Sequence, residues 1–287
     1  MLEHKKIQNL SDYFVELNSR REKGVYFYRI NGYSEEVGEF IKKYYDTARR
    51  TGVVIEGKIP NPDEGNLAYY NEIMGMDFQM SMDFIHVSLR KWLPRMNEFQ
   101  RQNVAASIYD SLDSLRKAGK TENMLRNAYI KFMCWLYYKF ERIVNQLGEN
   151  HIPKILYEGQ ISNYELMLIS VLSNAGCDVV LLQYAGDQGY LKTDPGSVLS
   201  DSLQMEGLQP FPQGYCVKKV RDEIQNELNN ERLYGIRPSL TNCTNAWIKG
   251  NGLDALPICY LITVSAGLTG QKISLLMQMS YSDCSRN

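Results

Sequence analysis

Between Ser34 and Ile55 the residues allow one local fold. Ser34 is a helix-capping residue, and Glu35 and Glu36 behind it suit the positive end of a helix dipole. Val37, Phe40, Ile41, Tyr44, Tyr45 and Ala48 keep a three-four spacing. Arg49 and Arg50 then fill the last turn, and Gly52 ends it. The run Val53-Val54-Ile55 follows, and a strand-like run, Gly24 to Ile30, with the turn Asn31-Gly32 precedes it. Strand, helix and strand in this order form a β-α-β unit, because parallel strands need a crossover of about a dozen residues or more. The pattern returns after Pro153. Lys154 to Tyr157 reads as a strand, Ser162 with Glu165 as a capping box, Leu166 to Ala175 as a helix stopped by Gly176. Asp178 to Gln183 reads as an apolar strand of the kind that a parallel sheet buries on both faces. The fold class expected is therefore α/β, with Rossmann-like β-α-β units.

A helical block separates the two units. Ile59 to Gly65, with two prolines and a glycine, is a loop, and helical spacing follows from 67 to 147. Pro94 closes its first part, and Asn97 with Gln100 is a second capping box. Leu125, Tyr129, Phe132, Leu136, Phe140, Ile143 and Leu147 make one stripe before Gly148. Met74, Met76, Met80 and Met82 read as packing between helices. Beyond the second unit come a polar loop, 184–196, and a helix over 217–234 that stops at Gly235 and Pro238. The expected division is 1–66, 67–150 and 151–240, with 241–254 and 255–287 set apart below.

The formal charge is −1, which gives no global field for nucleic acid or an anionic membrane. The N-terminal segment has charges but no apolar run behind them, and the apolar stretch 258–268 is too short to span a bilayer. A cytoplasmic protein without membrane insertion is the expectation. The six cysteines form no CxxC pair and the three histidines have no ligand spacing, so no metal is called. Tyrosine outnumbers phenylalanine 20 to 9, a choice that suits half-buried walls.

Chemistry is expected where parallel sheets hold ligands, beyond the carboxyl ends of the strands and beside helix N-termini. Glu56-Gly57 and Glu158-Gly159 end corresponding strands. Gly159, Ser162, Asn163, Gly186 and Tyr190 are the candidate ligand-binding residues, and Glu158 and Asp187 the weak candidates for catalysis. Glu56 and Asp194 belong to the same set of carboxylates, and Arg29, Lys58 and Arg49 are cations available to an anion. Cap and turn chemistry accounts for many of the same residues. Neither GxGxxG nor a P-loop is present, and no cofactor is named by the sequence.

The runs YYDTARRTGVVIEGKIPNP (44–62) and PKILYEGQISNYELMLISVLSNAGCDVVLL (153–182) resemble the bacterial YceG-like proteins of Gram-positive stress and tellurite-resistance-type operons. These are distinct from the peptidoglycan transglycosylase that shares the label. The resemblance covers roughly residues 1 to 254. It implies a general-stress protein, a component of a "biosynthetic module", encoded beside TerD-like, TerC-like and TelA-like partners. It carries over no catalytic residue. An anionic nucleotide- or sugar-like metabolite as ligand, or a scaffold for the operon's other proteins, are the two functions it leaves open. Family members are longer, and the tail departs from their pattern. Residues 255–287 hold only Lys272, Asp283 and Arg286 of the 32 basic and 33 acidic side chains. Phe27 to Ser34 and Trp247 to Asp254 share a residue pattern, so 241–254 reads as the start of a second copy of the N-terminal unit. The tail is then expected to be out of frame or truncated.

Overall fold

A computed structural model describes residues 2–61, 67–148 and 150–234. The chain divides into two units, the first ending at Val220 and the second beginning at Arg221. The expected second copy at 241–254 and the aberrant tail 255–287 lie outside the described residues.

Both β-α-β pieces enter one five-stranded, all-parallel sheet. Its strands are β1 (Phe27–Ile30), β2 (Val53–Glu56), β3 (Lys154–Glu158), β4 (Asp178–Leu182) and β5 (Asp201–Ser202), in the order β2-β3-β4-β1-β5. Helix α1 (Glu35–Thr51) joins β1 to β2. Its Ser34 side chain accepts from the Val37 N–H, as the capping pattern predicts. Gly52 ends it, and a Cβ at Gly52 would fall inside the backbone of Lys154. Only glycine lets α1 turn this closely onto β3.

The helical block between β2 and β3 contains α2 (Leu67–Met74), α3 (Met82–Trp92), α4 (Glu98–Lys117), α5 (Glu122–Trp135) and α6 (Glu141–Val144). The Asn97–Gln100 capping box is present at the start of α4. The stripe from Leu125 to Leu147 is buried as expected, but its helix is interrupted by a wider π-type turn at Leu136–Phe140. Between β3 and β4 runs α7 (Asn163–Ala175), with the Ser162–Glu165 box at one end and Gly176, at φ 130°, at the other. The loop after β4 forms the short α8 (Gln188–Leu191) and then the two-residue β5, neither marked by any sequence period. Helix α9 (Val217–Tyr234) follows, crossing from the first unit into the second.

Crossovers between parallel strands are right-handed, so direction along the sheet decides which face a connection covers. The step from β1 to β2 runs one way, and those leaving β2, β3 and β4 run the other. Side-chain alternation agrees. Phe27, Val53, Ile55, Ile155, Tyr157, Val179 and Leu181 join the large core with the helical block and α7. Buried Tyr28, by contrast, meets Tyr13, whose ring also packs on Phe40 and Tyr44 of α1. Cys134 and Cys177 are buried and unpaired.

At the amino edge of the sheet Asp178 is fully buried between Arg20 and Lys154. It takes two hydrogen bonds from the Arg20 guanidinium, one from Lys154 and one from the Tyr26 N–H. This cluster fastens the N-terminal segment and β3 to the first residue of β4.

Candidate functional site

The reversal of direction in the strand order lies between β4 and β1, the place where open parallel sheets usually form a ligand crevice. Here the chain itself occupies it. Tyr33 and Gln209 exchange backbone hydrogen bonds, and the rings of Tyr33, Tyr184, Phe211 and Tyr215 pack together over the ends of β1 and β4. Gly32 leaves just enough room for Leu208 to pass. The part of the carboxyl edge over β2 and β3 lies beyond this cluster.

In that part Glu56 and Glu158 are register partners on neighbouring strands. Alternation turns both toward the α1 side of the sheet. Glu158 is half-buried and accepts from the Val217 N–H at the start of α9 through both oxygens, at 3.2 Å each. Burial, reinforced by the Glu56 charge, holds the Glu158 carboxyl above the usual range, against the lowering by Val217 and Tyr184. The two in-register carboxylates therefore differ in environment, as an acid and a base must.

The glycines after them form a ridge without side chains. The Gly57 N–H donates to Glu158 carbonyl oxygen at 2.9 Å, and the Tyr157 hydroxyl donates to the Gly57 carbonyl at 3.0 Å. Gly159 takes φ 106°, where a Cβ would stand 3.2 Å from the Gly57 oxygen, so a side chain is excluded by both conformation and space. Above Gly57 no described residue comes within 4 Å of a Cβ position.

Across the ridge, on the face of the helical block, α7 begins. Ser162 accepts from Glu165 N–H, and Glu165 accepts in return from the Ser162 N–H. Glu165 also takes the Ile59 N–H at 2.6 Å, which ties the loop after β2 to the start of α7. The N–H groups of Asn163 and Tyr164 are the first-turn donors that a helix cannot satisfy itself. The ammonium of Lys131 on α5 stands 4.9 Å from the centre of the Tyr164 ring and 5.7 Å from that of Trp135. Trp135 is in turn fixed by donating its indole N–H to the Pro60 carbonyl.

The remaining predicted residues are engaged in contacts of their own. Asp187 binds the buried Arg29 guanidinium through both oxygens, at 3.0 and 2.9 Å. Arg29 also donates to Ser200 and lies 4.2 Å over the ring of Tyr190. Tyr190 is itself buried, donates to Asp194 at 2.8 Å and accepts from Ser200. Asp194 takes the Val198 and Leu199 N–H groups as well, closing the loop before β5. Gly186 serves a turn at φ 80°, its N–H donating to Gln183. Glu158, Gly159, Ser162 and Asn163 thus stand together, while Asp187 and Tyr190 belong to the packing of β1 against β5. Arg49 pairs with Asp46 on the exposed side of α1, and Lys58 is exposed on the loop after β2.

Sequence reading passed over Lys131. A signal for it was present: Lys131 and Trp135 are four residues apart on one helix, the spacing that brings a cation over a ring. The segment Leu208–Tyr215 left no comparable trace.

Among the described residues no group of three or more His, Cys, Asp and Glu could hold a metal ion, and no helix is long and apolar enough to cross a membrane. No curated protein and no solved structure matches the chain. A family model described as the YceG domain matches residues 5–227, and so takes in the whole sheet, the helical block and the carboxyl edge. The chain belongs to the YceG domain family.

Proposed function

We propose that the carboxyl edge over β2 and β3 receives a small anionic metabolite, nucleotide- or sugar-like. In this reading the protein serves a general stress response in the cytoplasm, as a component of a tellurite-resistance-type biosynthetic module. The observation that carries the site is a juxtaposition on one edge. A cation and open helix N–H groups lie on one face, a carboxylate pair with unlike environments on the other, and a bare glycine ridge between them. Lys131 with the Asn163 and Tyr164 N–H groups would hold a phosphate or carboxylate. Glu158, whose burial favours the protonated carboxyl, would donate a proton to the bound molecule and Glu56 accept one.

Thermal-shift screening of the full chain against nucleotides and sugar phosphates tests this. At least one should stabilise the wild type saturably, and Lys131→Ala should weaken that ligand about tenfold, the scale of one charge-assisted contact. Glu158→Gln should leave binding and abolish turnover. No stabilisation by any member of either class would remove the reading. Asp187→Ala is unsuited to the purpose, since it strands the buried Arg29.

A second reading, a scaffold for TerD-like, TerC-like or TelA-like proteins, is favoured by the surface of the helical block. Val87 and Phe99 are large apolar side chains, 63% and 56% exposed. Capture of such a partner by the wild type, lost in Val87→Glu with Phe99→Glu, is its expected outcome. Equal capture by both proteins would sink it.

A further inference from the structure

A groove enclosing about 480 Å³ lies at the other end of the sheet, over β1 and β5. That volume falls within the range of small-molecule sites, about 300–1,000 Å³. Its walls come from three places in the chain: the N-terminal segment, the first turn of α1, and the residues from β5 to Met205. The side chains of Tyr28, Leu10 and Leu203 are buried and supply an apolar floor. Around it stand Gln8, Glu36, Asp201 and Gln204, with Lys6 exposed at the rim.

The carboxylates decide what this groove can take. Asp201 is half-buried, and neither its carboxylate nor that of Glu36 makes a hydrogen bond or ion pair among the described residues. Carboxylates elsewhere in the fold at comparable depth, Asp187 and Glu158, are both occupied. Two acids outnumber the one lysine, and Glu35 adds to Glu36 in the first turn of α1, so a phosphorylated or carboxylated molecule is repelled. Carboxylates and side-chain amides over an apolar floor suit a ligand with hydroxyls on its edge, an apolar ring face and a positive charge.

We propose that this groove binds an amine-bearing polyol of the amino-sugar class, its ammonium held by Asp201 and Glu36 and its hydroxyls by Gln8 and Gln204. The aromatic cluster over β1 and β4 stands between this groove and the edge over β2 and β3, so the two sites serve different chemistries.

The test is isothermal titration of the full chain with glucosamine, galactosamine and the glucosamine disaccharide, beside glucose and glucose 6-phosphate. Saturable binding of at least one amine-bearing sugar is expected, with glucose at least tenfold weaker and the phosphate weaker still. Asp201→Asn, which breaks no hydrogen bond or ion pair of the side chain among the described residues, should weaken the amine about tenfold, and Asp201→Asn with Glu36→Gln should abolish it. Glu158→Gln should leave it unchanged, so this proposal and that for the β2–β3 edge fail separately. Heat of binding from none of the three amines, or equal binding by the double variant, overturns the assignment.

Discussion

Single charged residues decide much of this fold, and Asp178 most of all. Among the described residues it is the one acid paired with two buried cations, and it also takes the Tyr26 N–H. Asp178→Asn keeps the shape and removes the charge, leaving Arg20 and Lys154 buried against each other. The expected loss is about 3–5 kcal/mol, the cost of breaking a buried pair from one side, measured by urea unfolding of the two proteins. Glu158 acts in the opposite sense. Its folded carboxyl sits above the usual value because burial and then Glu56 disfavour its charge. The folded state therefore binds this proton more tightly than the unfolded chain does. That contribution is present at pH values below the unfolded pKa and is lost as pH rises through the folded one. Replacing the group with neutral glutamine removes the penalty at high pH only. The melting temperature of Glu158→Gln relative to wild type should climb between pH 4 and pH 7, and a difference flat with pH would refute the environment assigned to Glu158.

Elements were legible where the chain carries its own punctuation. Ser34, Asn97 and Ser162 start helices through side-chain bonds that the sequence displays, and Gly52 and Gly176 end them. The run Val179–Leu182 shows its burial by being apolar throughout. Elements held by distant partners gave no local sign. The two residues of β5 are a strand only because β1 lies beside them, and the turn at Leu136–Phe140 continues the same apolar stripe as its neighbours. The candidate site divides in the same way. Its glycines and caps could be read, whereas the pairing of Arg29 with Asp187 joins residues 158 positions apart. Gly52 permits a direct check on element packing. In Gly52→Ala the new methyl meets rigid Lys154 backbone, so stability should fall by roughly 3 kcal/mol or more in thermal unfolding. A neutral substitution would mean that α1 does not close onto β3 as described.

For the whole molecule, a single parallel sheet joins two sequence units that lie about a hundred residues apart, and the helical block between them covers one face. Order along the sheet then distributes chemistry along the carboxyl edge. The switch point is filled by aromatic rings, the β2–β3 end carries the carboxylate pair and the open start of α7, and the β1–β5 end carries the groove. The central claim is that the first of these open ends is where an anionic metabolite binds. Hydrogen exchange of the full chain, with and without the nucleotide or sugar phosphate that stabilises it most, addresses this directly. The account predicts slowed exchange confined to Gly57–Ile59 and Gly159–Tyr164, with Lys131→Ala needing about tenfold more ligand for the same protection. Protection falling instead on the helical block, or absent from both loops at saturating ligand, would contradict it.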